Sequence, residues 1–161
     1  MDYGNNFHPF INGLSGAPVH DLVLHPREND LVVGTHGRSV YVADMTYLQQ
    51  IDQNILNKNL HVFKVDNLKY SNRWGNRNWY GNLIEPSVEI VIFSKSNADI
   101  ELIIEGDNGE SIKDNQTLEY GLNFINHNLL INDKNKYLPK GKYKLKVTNL
   151  EESSFAEFEI N

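Results

Sequence analysis

Two indoles, a phenol and two guanidinium groups fall within one stretch, 73–80, at Arg73, Trp74, Arg77, Trp79 and Tyr80. Aromatic faces stack on sugar rings, and Arg stacks on them or bridges to polar groups. These five residues are the candidate carbohydrate-binding set. The favoured reading of the same stretch is mechanical, a linker that drapes across a surface and staples two domains with its two Trp. His20, Asp21, His25 and His36 form a second set, able in principle to ligate a metal or to work as an acid/base pair. Neighbours on a strand point to opposite faces, which separates His20 from Asp21. His25 stands before Pro26 at a strand end, and His36 sits in a turn between Gly34 and Gly37. No His-x-His or His-x-x-x-His spacing occurs among them. The expected role is therefore structural, with His36 and Arg38 holding their turn through hydrogen bonds to nearby carbonyls and carboxylates, and no metal or cofactor is expected.

Carboxylates are plentiful at Glu89, Glu101, Glu105, Asp107 and Asp114. Glycoside hydrolysis needs two of them about 5–9 Å apart in a cleft. Strand alternation turns these outward, so no catalytic residue is assigned. Lys142, Lys144 and Lys146 could bind an acidic glycan; the favoured reading is the wet face of an edge strand, where Lys discourages aggregation. The chain has no Cys, which removes disulfides and thiolate chemistry.

The elements that must position these groups are strands. The 161 residues are 40% hydrophobic and 22% charged, an ordinary globular balance for one domain or two small ones. No apolar run reaches the roughly 18 residues of a membrane span, and no signal-peptide pattern opens the chain. A net charge of -6 argues against a sequence-independent grip on nucleic acid. Asn fills 22 positions, many of them turn-competent because Asn tolerates positive φ.

Val19 to His25, Leu31 to Gly34 and Ser39 to Ala43 read as three short strands with turn signals between, an antiparallel meander. Thr46 with Gln49 matches a capping box, and Leu48, Ile51 and Ile55 recur at helical spacing. One amphipathic helix of about ten residues is predicted, ended by Asn57-Lys58-Asn59. Leu60 to Val65 is a strand candidate, and Asn67 to Glu85 is irregular. Beyond Pro86, Val88, Ile90 and Ile92 alternate with Glu89, Val91 and Phe93, and Ile100, Leu102 and Ile104 with Glu101, Ile103 and Glu105. Asp107-Asn108-Gly109 is a hairpin turn signal. Leu122 to Ile131 is a further strand region. Pro139-Lys140-Gly141 is a turn. Tyr143, Leu145 and Val147 then alternate with the three Lys, and Phe158 and Ile160 alternate with Glu157 and Glu159. Such strands fit a small β-sandwich.

Two stretches resemble a known family. Asp2-Tyr3-Gly4-Asn5-Asn6-Phe7 resembles the tail of an Asp box, Ser-x-Asp-x-Gly-x-Thr-Trp: Asp2 and Gly4 match, Asn6 stands for Thr and Phe7 for Trp. Pro18-Val19-His20-Asp21-Leu22, His25-Pro26-Arg27, Asn29-Asp30-Leu31 and Gly34-Thr35-His36-Gly37-Arg38 together are similar to the last propeller blade of bacterial BNR-repeat, glycosyl hydrolase-like proteins related to the sortilin ectodomain. His61-Val62-Phe63, Gly121-Leu122-Asn123 and the Pro139/Gly141/Tyr143 pattern extend the likeness. The resemblance implies an all-β chain: residues 1–44 a blade remnant with a degenerate Asp box, 45–85 a short helix and aromatic-rich linker, and 86–161 an immunoglobulin- or fibronectin-like sandwich.

It also implies a structural role for Asp2, Gly4, Phe7, His20, Asp21, His36, Gly37 and Arg38. The chain itself would be a non-catalytic accessory region, any sialidase-like activity residing in a parent protein. A carbohydrate-binding or secretion module is the alternative. The implied location is the bacterial periplasm, envelope or exterior. The implied partners are the remaining propeller, or a second copy paired through β edges, with a glycan as the further candidate. Residues 1–44 are expected to pack against the sandwich or to mediate self-association.

Overall fold

The computed structural model describes residues 16–131, 136–150 and 152–161. Asp2, Gly4 and Phe7 lie outside them. Two compact units divide the chain, Met1–Leu56 and Asn57–Asn161. The division falls inside the stretch 45–85 read as helix and linker. The structure is strand-dominated throughout, in several antiparallel sheets.

The first unit holds the predicted meander, β1 (Val19–Leu24), β2 (Asp30–Thr35) and β3 (Val40–Asp44), in the order β1-β2-β3. Asn29 takes a φ of 56° in the first turn and Gly37 a φ of 72° in the second, as residues tolerant of the left-handed region should. Registration places Leu22, Leu24, Leu31, Val33, Tyr41 and Ala43 on one face, and Val23, Val32, Val40 and Val42 on the other. The first face is apolar; on the second the valines fill the centre and Asp21, Asp30 and Asp44 stand around them. Yet among the described residues of this unit only Val33 is a buried hydrophobic, and Leu22, Val40 and Val42 are 59%, 63% and 62% exposed.

The single helix predicted after β3 is instead two short turns, α1 (Thr46–Gln50) and α2 (Gln53–Leu56). Two aspartates explain the break. Asp44 Oδ1 accepts the Thr46 N–H at 2.7 Å, in place of a Thr46 capping box, and Asp52 Oδ1 accepts the Ile55 N–H at 2.8 Å. Asp52 thus starts a new turn where Ile51 has gone extended, with ψ 108°.

The second unit builds two sheets around one core. One holds β4 (Leu60–Val62), β5 (Val88–Ser94) and β8 (Gly121–His127) in the order β4-β5-β8. The other holds β6 (Ala98–Gly106), β7 (Ser111–Leu118), β11 (Gly141–Thr148) and β12 (Ser153–Ile160) in the order β12-β11-β6-β7. A two-stranded ribbon, β9 (Leu130–Ile131) with β10 (Lys136–Tyr137), completes it. Ile90 and Ile92 from the first sheet, and Leu102, Ile104, Leu145 and Val147 from the second, share one buried cluster. The period-2 alternation read in the sequence supplies this face. β5 departs from it: Val91 and Phe93 are buried as well, as a near-continuous apolar run on the middle strand of a sheet favours.

β11 is not an edge strand. It pairs with β12 on one side and β6 on the other. The Lys142, Lys144 and Lys146 stripe therefore runs down the middle of a sheet. Its cross-strand neighbours include Glu159 and Glu157 on β12 and Glu105 on β6, which cancel the charge an acidic glycan would seek.

Tyr143 fixes the turn into β11. Its hydroxyl donates to the Pro139 carbonyl at 2.6 Å and accepts from Asn108 Nδ2 at 3.2 Å, while its ring stacks on Phe158. A Cβ on Gly106 would meet that ring at 2.6 Å, so only Gly fits there.

The sheets are stitched at both sides. The Val62 N–H donates to Ser154 Oγ at 3.0 Å, joining β4 to β12. Opposite, His127 on β8 faces Asp114 on β7, Nε2 to Oδ2, at 3.9 Å. Gln116 Nε2 donates to the same Asp114 oxygen at 2.7 Å. His127 Nδ1 accepts the N–H of Leu129 at 2.9 Å. Leu129 is fully buried at a φ of 56°. An acceptor at Nδ1 requires the neutral ring with its proton on Nε2. Burial pulls the His127 pKa below the usual imidazole value, with Asp114 opposing.

The unfolded chain therefore takes up the proton first. His127's contribution is complete above the ordinary imidazole pKa of about 6.5 and is lost as pH falls toward the lowered folded value. The urea midpoint is expected to drop on acidification through this window, and His127→Gln to flatten that slope. An unchanged slope in the variant contradicts the assignment.

Candidate functional site

The aromatic stretch is not a free linker. Its approach is tied to β12: the Leu68 N–H donates to the Glu159 carbonyl at 2.8 Å, the Asn161 N–H to Leu68 at 3.0 Å, and the Tyr70 N–H to Asn161 at 2.8 Å. Residues 75–84 then fold back as an irregular hairpin. The Gly75 N–H donates to Ile84 and the Ile84 N–H to Asn76 (2.9 and 2.8 Å), while the Gly81 N–H donates to Asn78 and the Asn78 N–H to Asn82 (2.9 and 2.8 Å). Each pair has the bonding of a bulge that begins with a left-handed glycine, and Gly75 and Gly81 have φ of 84° and 82°. Asn78 Oδ1 accepts the N–H groups of Tyr80 and Asn82, both at 3.0 Å. Arg77 Nη1 donates to the Gly81 carbonyl at 2.5 Å.

This hairpin sorts the five predicted residues into two groups. Trp74 turns inward. It packs against the core, edge-on to Tyr70 at 5.0 Å and to Tyr137 at 6.4 Å. The Tyr137 hydroxyl donates to Glu85 Oε1 at 3.1 Å, and Asn128 donates to the same oxygen at 3.0 Å. Burial, together with that carboxylate, raises the Tyr137 phenol above its usual pKa. Trp79 and Tyr80 occupy the turn, 96% and 85% exposed, with Leu83 beside them at 46%. Arg77 braces the hairpin and Arg73 lies exposed at its base. Trp74 thus anchors the stretch within the second unit, whereas the linker reading expects both Trp to staple two domains, and Trp79 is no anchor. Sequence reasoning passed over Leu83 and Tyr70. The signal for the hairpin was Asn78-x-x-Gly81, with an αL-competent residue where a three-residue loop needs one.

The histidine set is arranged differently from the expectation. The rings of His20 and His36 stack at 4.9 Å across β1 and the β2–β3 turn. Thr35 closes that turn, its N–H and Oγ1 both donating to the Ser39 carbonyl at 3.2 and 2.6 Å. Asp21 Oδ1 accepts the adjacent Leu22 N–H at 2.9 Å, and His25 Nδ1 the Glu28 N–H at 3.2 Å. Among the described residues no three His, Asp or Glu converge as a metal site. Asp99 and Glu101 flank an open groove on β6, with Thr117 bonded to the first at 2.7 Å and Lys113 3.9 Å from the second. Neither sits in the water-excluded cleft that a glycosidic general acid needs.

Among the described residues no helix is long and apolar enough to cross a membrane. No family model and no curated protein matches the chain.

The two indoles should separate in a stability measurement. Trp74→Ala is expected to cost about 2 kcal/mol by emptying a partly buried site. Trp79→Ala should leave the urea midpoint unchanged. Equal losses would contradict the division into anchor and tip.

Proposed function

We propose that the chain is a non-catalytic accessory region of a BNR-repeat, glycosyl hydrolase-like propeller protein, with β1–β3 as a terminal blade and the second unit as an immunoglobulin-like sandwich. The observation that carries this reading is the meander with apolar residues at the centre of both faces, one of them rimmed by Asp21, Asp30 and Asp44. Sheets covered on both sides have such composition, and propeller blades are covered by their neighbours. The GTHGR turn at 34–38 and the paired Asn29-Asp30 that opens β2 are the residues the resemblance rests on.

Two features support the sandwich half. The sheet orders β4-β5-β8 and β12-β11-β6-β7 follow the two-sheet arrangement of immunoglobulin and fibronectin modules. The Tyr143 hydroxyl bonded to Pro139, four residues upstream at the start of β11, has the form of their tyrosine corner. On this reading catalysis, where the parent has it, belongs to other blades, and the protein acts in the envelope or outside the cell.

The reading frame ahead of the Met1 codon tests the family. Further Ser-x-Asp-x-Gly-x-Thr-Trp repeats there would support it, and an immediate in-frame stop would overturn it. The chain by itself should associate through its uncovered faces. Sedimentation is expected to show concentration-dependent association that Val40→Lys with Val42→Lys removes. A chain that stays monomeric at every concentration contradicts a role for those faces in assembly.

A further inference from the structure

We propose that the 75–84 hairpin docks on the surface of a bilayer containing anionic lipid, with Trp79 and Tyr80 seated at the headgroup level. This goes beyond the accessory-region reading and does not depend on it.

The shape of the tip argues for a surface rather than a small ligand. Trp79 and Tyr80 project from a turn, and three grooves of the structure are lined by other residues. A sugar site needs polar groups converging on hydroxyls beside the aromatic floor. Here the nearest polar side chains are engaged by the hairpin's own backbone: Asn78 Oδ1 accepts two N–H groups and Arg77 Nη1 donates to the Gly81 carbonyl. What remains at the tip is an indole and a phenol, with the half-exposed Leu83 one rung below, opposite Arg77. Trp and Tyr have the apolar body and polar edge that favour the membrane–water boundary.

Charge points the same way. Between Asp66 and Glu85 the chain carries Lys69, Arg73 and Arg77 and no further acid, and Glu85 Oε1 is taken up by Tyr137 and Asn128, within a protein of net charge -6. Arg73 and Arg77, both exposed, supply charge that complements a negatively charged headgroup layer. The two glycine bulges and the Asn78 and Arg77 bonds hold the turn in shape, so little conformational freedom remains to be lost on docking.

The chain has only two Trp, which makes the test direct. In Trp74→Phe, Trp79 is the sole indole. Its emission is expected to shift to the blue with vesicles of phosphatidylcholine and phosphatidylglycerol, and to be quenched by brominated lipid. Phosphatidylcholine alone should give a smaller effect. Arg73→Glu should weaken partitioning roughly tenfold, and Trp79→Ala with Tyr80→Ala should abolish it at unchanged circular dichroism. If Trp74→Phe does not fold, co-sedimentation of the unaltered chain with the same vesicles reads the same binding. Absence of a shift and of co-sedimentation overturns the proposal. So does a shift with polygalacturonate and none with vesicles, which would place the tip among acidic-glycan sites.

Discussion

Strand β11 is hydrogen-bonded along both edges while its inward face carries Tyr143, Leu145 and Val147 into the core. The second unit depends on that double commitment. A strand with partners on both sides has its backbone groups satisfied by ladder bonds, so its apolar face can be buried without orphaned donors. The Tyr143 hydroxyl sets where the strand begins, by holding Pro139 and Asn108 together. Gly106 yields the space for the ring. Sheet, turn and core are thereby fixed by one side chain and its neighbours.

From that scaffold the hairpin inherits its geometry. The backbone of 68–70 is bonded to the end of β12, and Trp74 is held by Tyr70 and Tyr137. With its base secured, the ten-residue loop needs only its own Asn, Arg and Gly contacts to keep Trp79 and Tyr80 in water. Exposed aromatics cost solubility unless they have a use, and here they are presented on a braced turn. The first unit shows the opposite case. Among its described residues, the apolar side chains of a three-stranded sheet lie exposed on both faces.

Legibility followed the physics of each element. The strands with strict alternation, β6, β11 and β12, stood out because one face meets the core and the other meets water. β1 to β3 were marked by turn residues. β7 was given no element of its own: Lys113, Asp114, Asn115, Gln116 and Thr117 carry no apolar alternation, and their pairing with β6 makes them a strand. The 46–56 helix was overcalled because apolar spacing does not reveal that Asp52 will start a fresh turn. Lys142, Lys144 and Lys146 suggested an edge because sequence does not say which strands lie on either side. In the candidate site, composition pointed to the stretch but not to its arrangement. The split between Trp74 and Trp79 depends on Tyr137, more than fifty residues away, and on backbone bonds that no local pattern carries.

The Lys column of β11 has a consequence for how the sheet finds its alignment. Opposite it on β12 stand Glu159 and Glu157. Sliding β12 by two residues keeps the same side chains outward and still sets Lys144 against Glu159 and Lys146 against Glu157. The charges thus hardly distinguish the native alignment from this displaced one. Discrimination falls to the Tyr143–Phe158 ring pair and to the tight 149–152 turn, where Asn149 and Glu152 bond each other. A mispaired strand would be soluble, electrostatically content and wrong only in its interior, so the aromatic stack acts as the proofreader of the fold.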